Sequence, residues 1–367
     1  MATEKYTYKP DYAVLPGDSL LEVLESVSMT QKELANRMGR PLKTINEIVK
    51  GKAAITADTA LQLERVLGVP ASFWSNLEKN YREALAKKTE TERLKRGLTW
   101  LRKFPTQAMR KVGWLKTSGG VEQLQELLSY FGIASPEQWN ALWGRANVAY
   151  RKSAVFTSNA EAVAVWLRRG ELYAQGIPCQ PYNEEKFRQA LRTARGLTGT
   201  PPETFPSELQ GLCADAGVAV VFVRELPKVR VSGATRWISP TKALIQLSLR
   251  FKSDDQLWFS FFHEAAHVLL HGKRAVFIED GKSSKDTKET EANAFAAEML
   301  IPRDAFKRIL TSLPLSDLHV RQFAAEIGVA PGIIVGRLQH DHHLPFNQLN
   351  HLKRRFEWTQ PKARAAA

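Results

Sequence analysis

Apolar residues follow two different spacings along this chain, and the spacing changes near residue 200. Three short runs rich in valine, isoleucine and leucine, at 217–223, 229–238 and 243–249, predict buried strands. The third run leads into an apolar segment that opens at Asp254, where an acidic side chain suits a helix N-terminus, and stops before Gly272. We therefore expect a small three-stranded sheet that runs directly into a helix.

The N-terminal part has the spacing of short helices instead. Thr30 and Glu33 have the spacing of a capping box, and Gly39 suits the end of the helix that they begin. Pro41 opens the next helix, which stops at Gly51. Further helical runs are predicted from Thr56 to Gly68 and from Pro70 onward. Two short helices joined by a tight turn with glycine predict a helix-turn-helix.

The predicted apolar helix after the sheet contains a His-Glu-x-x-His pentad at 263–267. Histidines four residues apart lie one turn apart on the same helix face, so His263 and His267 can bind one zinc ion. Glu264 is placed to take a proton from a water molecule held by that ion. These residue types at this spacing predict a metal-dependent peptide hydrolase.

A catalytic zinc site usually takes three protein ligands and a water molecule, so a third ligand is needed. An alanine-rich run from Lys288 to Ile301 has no glycine or proline and predicts a helix that returns towards the pentad. Glu291 borders its apolar stripe and is our predicted third ligand, with Glu289 as the nearest competitor. Glu298, on nearly the same face as Glu291, is a candidate partner of the ligands.

The pentad, His271 and the run Glu291-Ala292-Asn293-Ala294-Phe295-Ala296-Ala297 with Leu300-Ile301-Pro302 resemble the ImmA/IrrE family of metallopeptidases. The resemblance covers roughly residues 205–312 and implies zinc ligands His263, His267 and Glu291, with Glu264 as the general base. It also implies a protein substrate, often a repressor or antitoxin. For His271 two roles stay open, polarising the scissile carbonyl or capping its helix.

In a helix-turn-helix the second helix lies in the major groove of DNA. Leu42, Lys43, Thr44 and Glu47 fall near the exposed N-terminal half of that helix. The other candidate contacts are Gln31, which starts the supporting helix, and Lys50 and Lys52, which suit phosphates.

Residues 16–81 resemble the HigA-type antitoxins of the Xre helix-turn-helix class. The matching segments are Thr30-Gln31-Lys32-Glu33-Leu34-Ala35, Thr44-Ile45-Asn46-Glu47-Ile48, Gly51-Lys52, Ile55-Thr56, Thr59-Ala60-Leu61 and Phe73-Trp74. The resemblance implies binding to double-stranded operator DNA, usually as a homodimer on a palindrome.

The whole pattern predicts an α+β chain that is mostly α. The predicted segments are a five-helix helix-turn-helix domain at 10–86, a basic helical linker or sensor region at 87–200, a zincin-like peptidase core with the small sheet at 201–312, and a helical extension at 313–367. Within that extension, residues 321–338 predict two short helices, either a second, degenerate helix-turn-helix or a lid. The polar cluster at 339–343 is interpreted as a loop in preference to a metal site.

Composition narrows the class of protein. The chain has 367 residues, 44% hydrophobic residues and nine tryptophans, which suffice for packed cores. It has no run of 18 apolar residues and no secretory signal, and its two cysteines are isolated. We therefore expect a cytoplasmic protein without a membrane partner.

The formal net charge is +14, but residues 1–90 contribute only +1, from 13 basic and 12 acidic side chains. Eight basic residues lie between Arg93 and Lys116, interspersed with Trp100, Phe104 and Trp114. This segment is interpreted either as a phosphate-contacting face or as a solvated face with aromatic core residues.

The predicted function is therefore a DNA-binding transcriptional regulator fused to a zinc endopeptidase that cleaves a repressor or antitoxin in a stress-response, toxin–antitoxin or phage-defence setting. The alternative is a non-catalytic, HigA-like antitoxin and autorepressor that binds operator DNA and a cognate toxin.

Overall fold

The computed structural model describes residues 14–143, 159–272, 287–312 and 314–358, and the backbone of 277–279. Contacts divide the chain into two compact units, Met1–Leu98 and Thr99–Ala367. This two-unit division is coarser than the four segments expected from the sequence, whose boundaries stay a prediction. The predicted class is confirmed, since helices dominate both units and the sheet is small.

The described residues of the first unit, from residue 14 onward, form five helices, as predicted. They are α1 (Pro16–Ser26), α2 (Gln31–Met38), α3 (Leu42–Val49), α4 (Ala57–Leu67) and α5 (Ala71–Arg96). Their apolar faces meet in one core that contains Leu20, Leu34, Ile45, Leu63 and Trp74, all at most 1% exposed. The short helices α2 and α3 therefore have a fixed angle to each other.

Local capping sets the ends of α2. The Glu33 backbone N–H donates to Thr30 Oγ1 over 3.2 Å, and Gly39 ends the helix at φ +64°. The Glu33 side chain pairs with Arg37 at 2.5 Å, one turn further on. The N-cap at Thr30 is thus as expected, whereas the carboxylate of the expected capping box forms an ion pair with Arg37.

The second unit surrounds one sheet with helices. Those before the sheet are α6 (Leu98–Leu101), α7 (Thr106–Lys111), α8 (Gly120–Phe131), α9 (described over 136–143), α10 (Ala160–Gln175), α11 (Glu184–Gly196) and α12 (Phe205–Ala214). Those after its third strand are α13 (Asp254–Leu270), α14 (Thr287–Leu300), α15 (Arg303–Leu310), α16 (Asp317–Ile327) and α17 (Pro331–His340). Among the described residues, no helix is both long and apolar enough to cross a bilayer.

The sheet contains the three predicted strands and one more. The strands are β1 (Val218–Phe222), β2 (Gly233–Ser239), β3 (Lys242–Leu247) and β4 (Phe277–Glu279), in the order β1-β3-β2-β4. β3 runs parallel to β1 and antiparallel to β2, and β4 pairs antiparallel with β2. At three residues, β4 is too short to give a periodic signal in the sequence.

Helices cover both faces of this sheet. Alternate residues of β3, including Ile245, face the large core that Phe261 and Ala265 of α13 also enter. On the opposite face, Gln246 Nε2 donates to the Trp166 carbonyl of α10 over 2.7 Å. A Cβ at Gly170 would lie 1.8 Å from Gln246 Oε1, so only glycine permits this approach. Helix α10 therefore packs on the face of the sheet opposite to α13.

The C-terminal residues hold the N-terminus of α13. Asp255 is 5% exposed and accepts from Lys353 Nζ at 2.7 Å. The Asp254 N–H donates to the Arg354 carbonyl over 3.0 Å. Helix α17 packs so closely that a Cβ at Gly336 would lie 2.5 Å from Asp255 Oδ2. The inner face of α17 is therefore buried against α13, and the choice between a second helix-turn-helix and a lid for residues 321–338 stays a prediction.

Candidate metal centre and nucleic-acid interface

The pentad lies inside α13, on the side that faces α14. His263 and His267 are 2% and 1% exposed, and their Nε2 atoms are 3.1 Å apart. One helical turn separates the residues, so both rings point to the same place. Two imidazole nitrogens therefore converge on one point in a buried setting.

Glu289 of α14 completes this group. Its carboxylate oxygens lie 3.1 Å from His263 Nε2 and 3.5 Å from His267 Nε2. A tetrahedral zinc ion with bonds of about 2.0–2.1 Å holds its ligand atoms about 3.3–3.4 Å apart. Among the described residues, this is the group of three side chains with the geometry of a cation site. The donor set fits zinc in both chemistry and spacing.

Glu291, the carboxylate expected at this point, lies elsewhere. It is 61% exposed, and its Oε2 is 3.0 Å from His271 Nε2. The reason is helical phase: Glu289 is three residues before Ala292, which is fully buried on the α13-facing side of α14, whereas Glu291 is on the adjacent side. The spacing of Glu289 from Ala292 and Ala296, three and seven residues further on, is a sequence signal that could have identified Glu289.

Each histidine of the pair also has a partner on its other ring nitrogen. His263 Nδ1 lies 2.9 Å from Asn293 Oδ1, and His267 Nδ1 lies 2.8 Å from His271 Nδ1. The amide oxygen of Asn293 only accepts, so His263 can donate its Nδ1–H to it and offer Nε2 to a cation. Asn293 was not among the predicted site residues.

Charge in the cluster suits a bound cation. Burial works to raise the pKa of Glu289, but hydrogen bonds and charge interactions with His263 and His267 outweigh it and lower that pKa to about 2. Burial lowers the pKa of His267, only partly opposed by its bond to Glu289. An ionised carboxylate and a neutral imidazole are the forms that bind metal.

Glu264 is fully buried beside strand β2. A Cβ at Gly233 would lie 2.6 Å from Glu264 Cγ and 2.7 Å from its Oε1, so this strand position has room for glycine only. Thr235 Oγ1 donates to the Glu264 carbonyl over 3.0 Å and ties α13 to the same strand. Gly233 is a site residue that sequence analysis missed, although an isolated glycine in a strand often marks a close approach.

Two other sequence candidates are placed outside the cluster. Glu298 pairs with Arg303 at 3.5 Å, so it does not support the histidines. The polar residues at 339–343 include the end of α17, and His340 Nδ1 lies 2.8 Å from Asp341 Oδ1. The residues after His340 form a turn, as the loop interpretation expected.

Two of the expected DNA-contacting residues, Leu42 and Lys43, are exposed at the start of α3. Leu42 at the start of α3 is 41% exposed, and the Lys43 side chain is 85% exposed. Lys43 Nζ is 3.9 Å from Glu47 Oε1, a loose pair that DNA phosphate can displace. The inner face of α3 is buried through Ile45 and Ile48.

The remaining candidates flank this exposed face. Gln31 is the first residue of α2, Thr44 lies in the first turn of α3, and Lys50 and Lys52 follow its end. The arrangement brings the seven candidates to the two helices of the helix-turn-helix and the turn after them. Their contacts with bases or phosphates stay a prediction.

The aromatic residues of the basic segment belong to a core. Trp100, Phe104 and Trp114 are all less than 9% exposed, and the Trp100 and Phe104 ring centroids are 4.5 Å apart. The interpretation as aromatic core residues beneath a solvated face therefore fits these three. A nucleic-acid contact by the exposed cations of this segment stays a prediction.

Family models match both ends of the chain. Residues 213–339 match the peptidase M78 family, an IrrE N-terminal-like domain. Residues 20–74 match a helix-turn-helix family. The first match contains the whole cluster around His263, and the second contains α2 and α3. The M78 match supports a metallopeptidase and implies a metal in the site.

Relatives of known sequence are similar to the N-terminal part. The uncharacterised HTH-type transcriptional regulator YddM of Escherichia coli K12 is 34% identical over 85 residues, 23% of this chain and 90% of that protein. Virulence-associated protein I of Dichelobacter nodosus is 39% identical over 70 residues, 19% of this chain and 65% of that protein.

Solved structures are similar to the same part. A HigA-family addiction module antidote protein from Coxiella burnetii is 32% identical, covers 23% of this chain and 92% of its own, and has a TM-score of 0.22. The Pseudomonas aeruginosa antitoxin HigA with the higBA promoter is 29% identical, covers 23% of this chain and 94% of its own, and has a TM-score of 0.22.

Proposed function

We propose that this chain, which belongs to the helix-turn-helix transcriptional regulators, is a DNA-binding regulator with a zinc-dependent endopeptidase activity. Its IrrE-like peptidase domain follows the helix-turn-helix module along the sequence. The observation that carries the proposal is the convergence of His263, His267 and Glu289 at 3.1–3.5 Å, with Glu264 buried next to the first histidine. A set of zinc ligands can be structural or catalytic. A structural zinc site usually has four protein ligands, whereas a catalytic site has three and leaves a position for water. Three ligands among the described residues, together with a neighbouring glutamate, favour catalysis.

The proposed zinc ligands are His263, His267 and Glu289. Zinc bound there supplies Lewis acidity, which polarises a peptide carbonyl and makes water a stronger acid. Glu264 takes the proton of the attacking water and delivers it to the leaving amine nitrogen. The fully buried position of Glu264 beside Gly233 keeps its carboxylate in one place for both transfers.

Operator DNA is the proposed ligand of the first unit. The exposed side of α3, with Leu42, Lys43, Thr44 and Glu47, enters the major groove, and Gln31, Lys50 and Lys52 contact its borders. A homodimer would present two such helices to a palindromic site. HigA of Pseudomonas aeruginosa, 29% identical in this region, has been solved with a promoter, which supports the assignment.

The proposed substrate is a protein, in the form of a transcriptional repressor or an antitoxin. Proteolysis of such a protein would relieve repression or release a toxin. Both outcomes would make peptide hydrolysis part of regulation. The resemblance to the ImmA/IrrE metallopeptidases implies this substrate class, and residues 213–339 match an IrrE-like domain.

The decisive experiment compares the wild-type chain with Glu264→Gln. We expect purified wild-type protein to contain about one zinc ion per chain and to cleave a repressor or antitoxin encoded beside its gene. Glu264→Gln should keep zinc and operator binding but lose cleavage. Glu298→Gln, a carboxylate on α14 that pairs with Arg303 instead of the histidines, is the matched control and should cleave normally.

Two outcomes would contradict the endopeptidase. Wild-type protein that binds operator DNA and a toxin but holds no zinc would support the non-catalytic antitoxin instead. Equal cleavage by wild type and Glu264→Gln would show that the proteolysis comes from another source or another residue.

A further inference from the structure

A series of hydrogen bonds leads from His267 through two further side chains to the solvent. His267 Nδ1 lies 2.8 Å from His271 Nδ1, and His271 Nε2 lies 3.0 Å from Glu291 Oε2. The His271 side chain is 3% exposed, whereas Glu291 is 61% exposed. At the other end of this series, His267 Nε2 faces Glu289.

The direction of each hydrogen bond follows from the two ends. If His267 binds a metal through Nε2, its proton is on Nδ1, and that N–H can only donate. His271 must then accept at Nδ1, which puts its own proton on Nε2. That N–H donates to the Glu291 carboxylate, which only accepts. One set of tautomers satisfies both hydrogen bonds.

We propose that His271 and Glu291 are positioning residues that fix the tautomer and ring orientation of the metal ligand His267. The inference rests on the proposed function, because it takes His267 as a ligand. Groups behind a metal-bound histidine hold its ring and raise its basicity, and their loss typically weakens metal binding. Burial of His267 makes the contact necessary, since a ring only 1% exposed has little access to solvent water as a substitute acceptor.

The two ligand histidines are supported differently. His263 donates to the neutral amide oxygen of Asn293, whereas His267 donates to an imidazole that is itself bonded to a carboxylate. An acceptor polarised by a carboxylate draws the His267 proton more strongly than an amide does. His267 should therefore be the more strongly donating of the two ligands.

The same geometry gives His271 and Glu291 roles that differ from the sequence expectations. Both ring nitrogens of His271 face other side chains, His267 and Glu291, so neither is directed at a substrate carbonyl. Glu291 contacts His271, which in turn contacts the proposed ligand His267, so it acts on the metal centre without being a ligand. Its carboxylate accepts from His271 Nε2 and so holds the orientation of the His271 ring.

The test measures zinc affinity of the full-length protein by competition with a chromophoric chelator, together with the visible absorption of the cobalt(II)-substituted protein. His271→Phe keeps a buried ring without an acceptor and should bind zinc about 10- to 100-fold more weakly, with an altered cobalt spectrum. His271→Gln offers an amide oxygen to His267 and should recover most of the affinity. Glu291→Gln should show a smaller loss, and Glu298→Gln none.

A direct readout does not depend on any variant. Nitrogen-15 NMR of the zinc-loaded wild-type protein should show His267 protonated at Nδ1 and His271 protonated at Nε2. His271 protonated at Nδ1 instead would overturn the proposal, even if His271→Phe fails to fold. So would wild-type affinity in His271→Phe, or a loss that His271→Gln does not recover.

The outcome of this zinc-affinity test can be distinguished from the outcome of the cleavage test for the endopeptidase. A wild-type chain that binds no zinc overturns both proposals. A chain that binds zinc and loses cleavage in Glu264→Gln, but keeps full zinc affinity in His271→Phe, overturns this one alone.

Discussion

At the scale of single residues, a shift of two positions along α14 separates two different roles. Glu289 faces the histidine pair because it shares a helix face with Ala292 and Ala296, both fully buried. Glu291 is on the next face and contacts His271. Glu289 and Glu291 are therefore distinguished only by their positions around the helix relative to the buried alanines.

Substitution of the two carboxylates should separate these roles. Glu289→Gln removes a charged ligand and should weaken zinc binding by more than the roughly 10- to 100-fold typical of residues that only support a ligand. Glu291→Gln should stay at or below that range. Isothermal titration with zinc, or chelator competition where binding is too tight, measures both. A larger loss in Glu291→Gln than in Glu289→Gln would restore Glu291 as the ligand.

A second residue-scale prediction concerns Gly233. In Gly233→Ala the new Cβ would overlap Glu264 Cγ, so the carboxylate must move. Displacement of a reacting group by about 1 Å can cost roughly 100-fold in rate, so cleavage should fall by about that factor while zinc content stays the same. Activity assays and metal analysis on one preparation check it. Gly199→Ala, where an added Cβ meets nothing within 4 Å, is the control.

At the scale of elements, the sequence predicted what periodic patterns can report. The five N-terminal helices and the strands β1, β2 and β3 are confirmed because each has its own hydrophobic spacing and its own turn residues. The resemblances to the two families are likewise confirmed by the matches at 20–74 and 213–339. The pentad was visible because all its residues lie on one helix.

Features that depend on contact between distant segments were not predictable in this way. The packing of α10 on the sheet depends on Gly170 meeting Gln246, which lie 76 positions apart and share no local pattern. The partner of His263 at Asn293 depends in the same way on the crossing of α13 and α14. A single sequence holds no record of such contacts, so the sequence analysis placed the third ligand at Glu291 and did not identify Asn293.

The ion pair at the start of α13 gives a prediction at this scale. Lys353→Met leaves Asp255, 5% exposed, without its cation, and breaking a buried pair typically costs about 3–5 kcal/mol. Differential scanning calorimetry should show a lower transition temperature for the second unit only. Lys307→Met, in a pair with Asp304 whose side chains are 78% and 99% exposed, is the control and should change little. Equal shifts in both variants would contradict the assigned role of the pair.

At the scale of the whole molecule, two compact units carry two different chemistries. The cluster around His263 lies entirely in the second unit, and the exposed face of α3 lies entirely in the first. Each unit has its own hydrophobic core. Ligand binding to one unit should therefore stabilise that unit directly.

Removal of metal tests this separation. A chelator should abolish cleavage and lower the transition temperature of the second unit, because zinc at 100 times its Kd contributes about 2.7 kcal/mol to stability. Operator affinity, measured by fluorescence anisotropy at fixed salt, should not change. A large loss of operator binding on chelation would show that the metal centre controls the DNA-binding face.

The C-terminal contacts at the start of α13 have a consequence for synthesis. The ribosome makes residues 14–98 long before Lys353 and Arg354, so the DNA-binding module can fold while the peptidase is still incomplete. The nascent chain lacks the cation that pairs with Asp255 until Lys353 emerges from the ribosome. On the proposed function, the first unit can bind its operator before the start of α13 in the peptidase unit is held by Lys353 and Arg354.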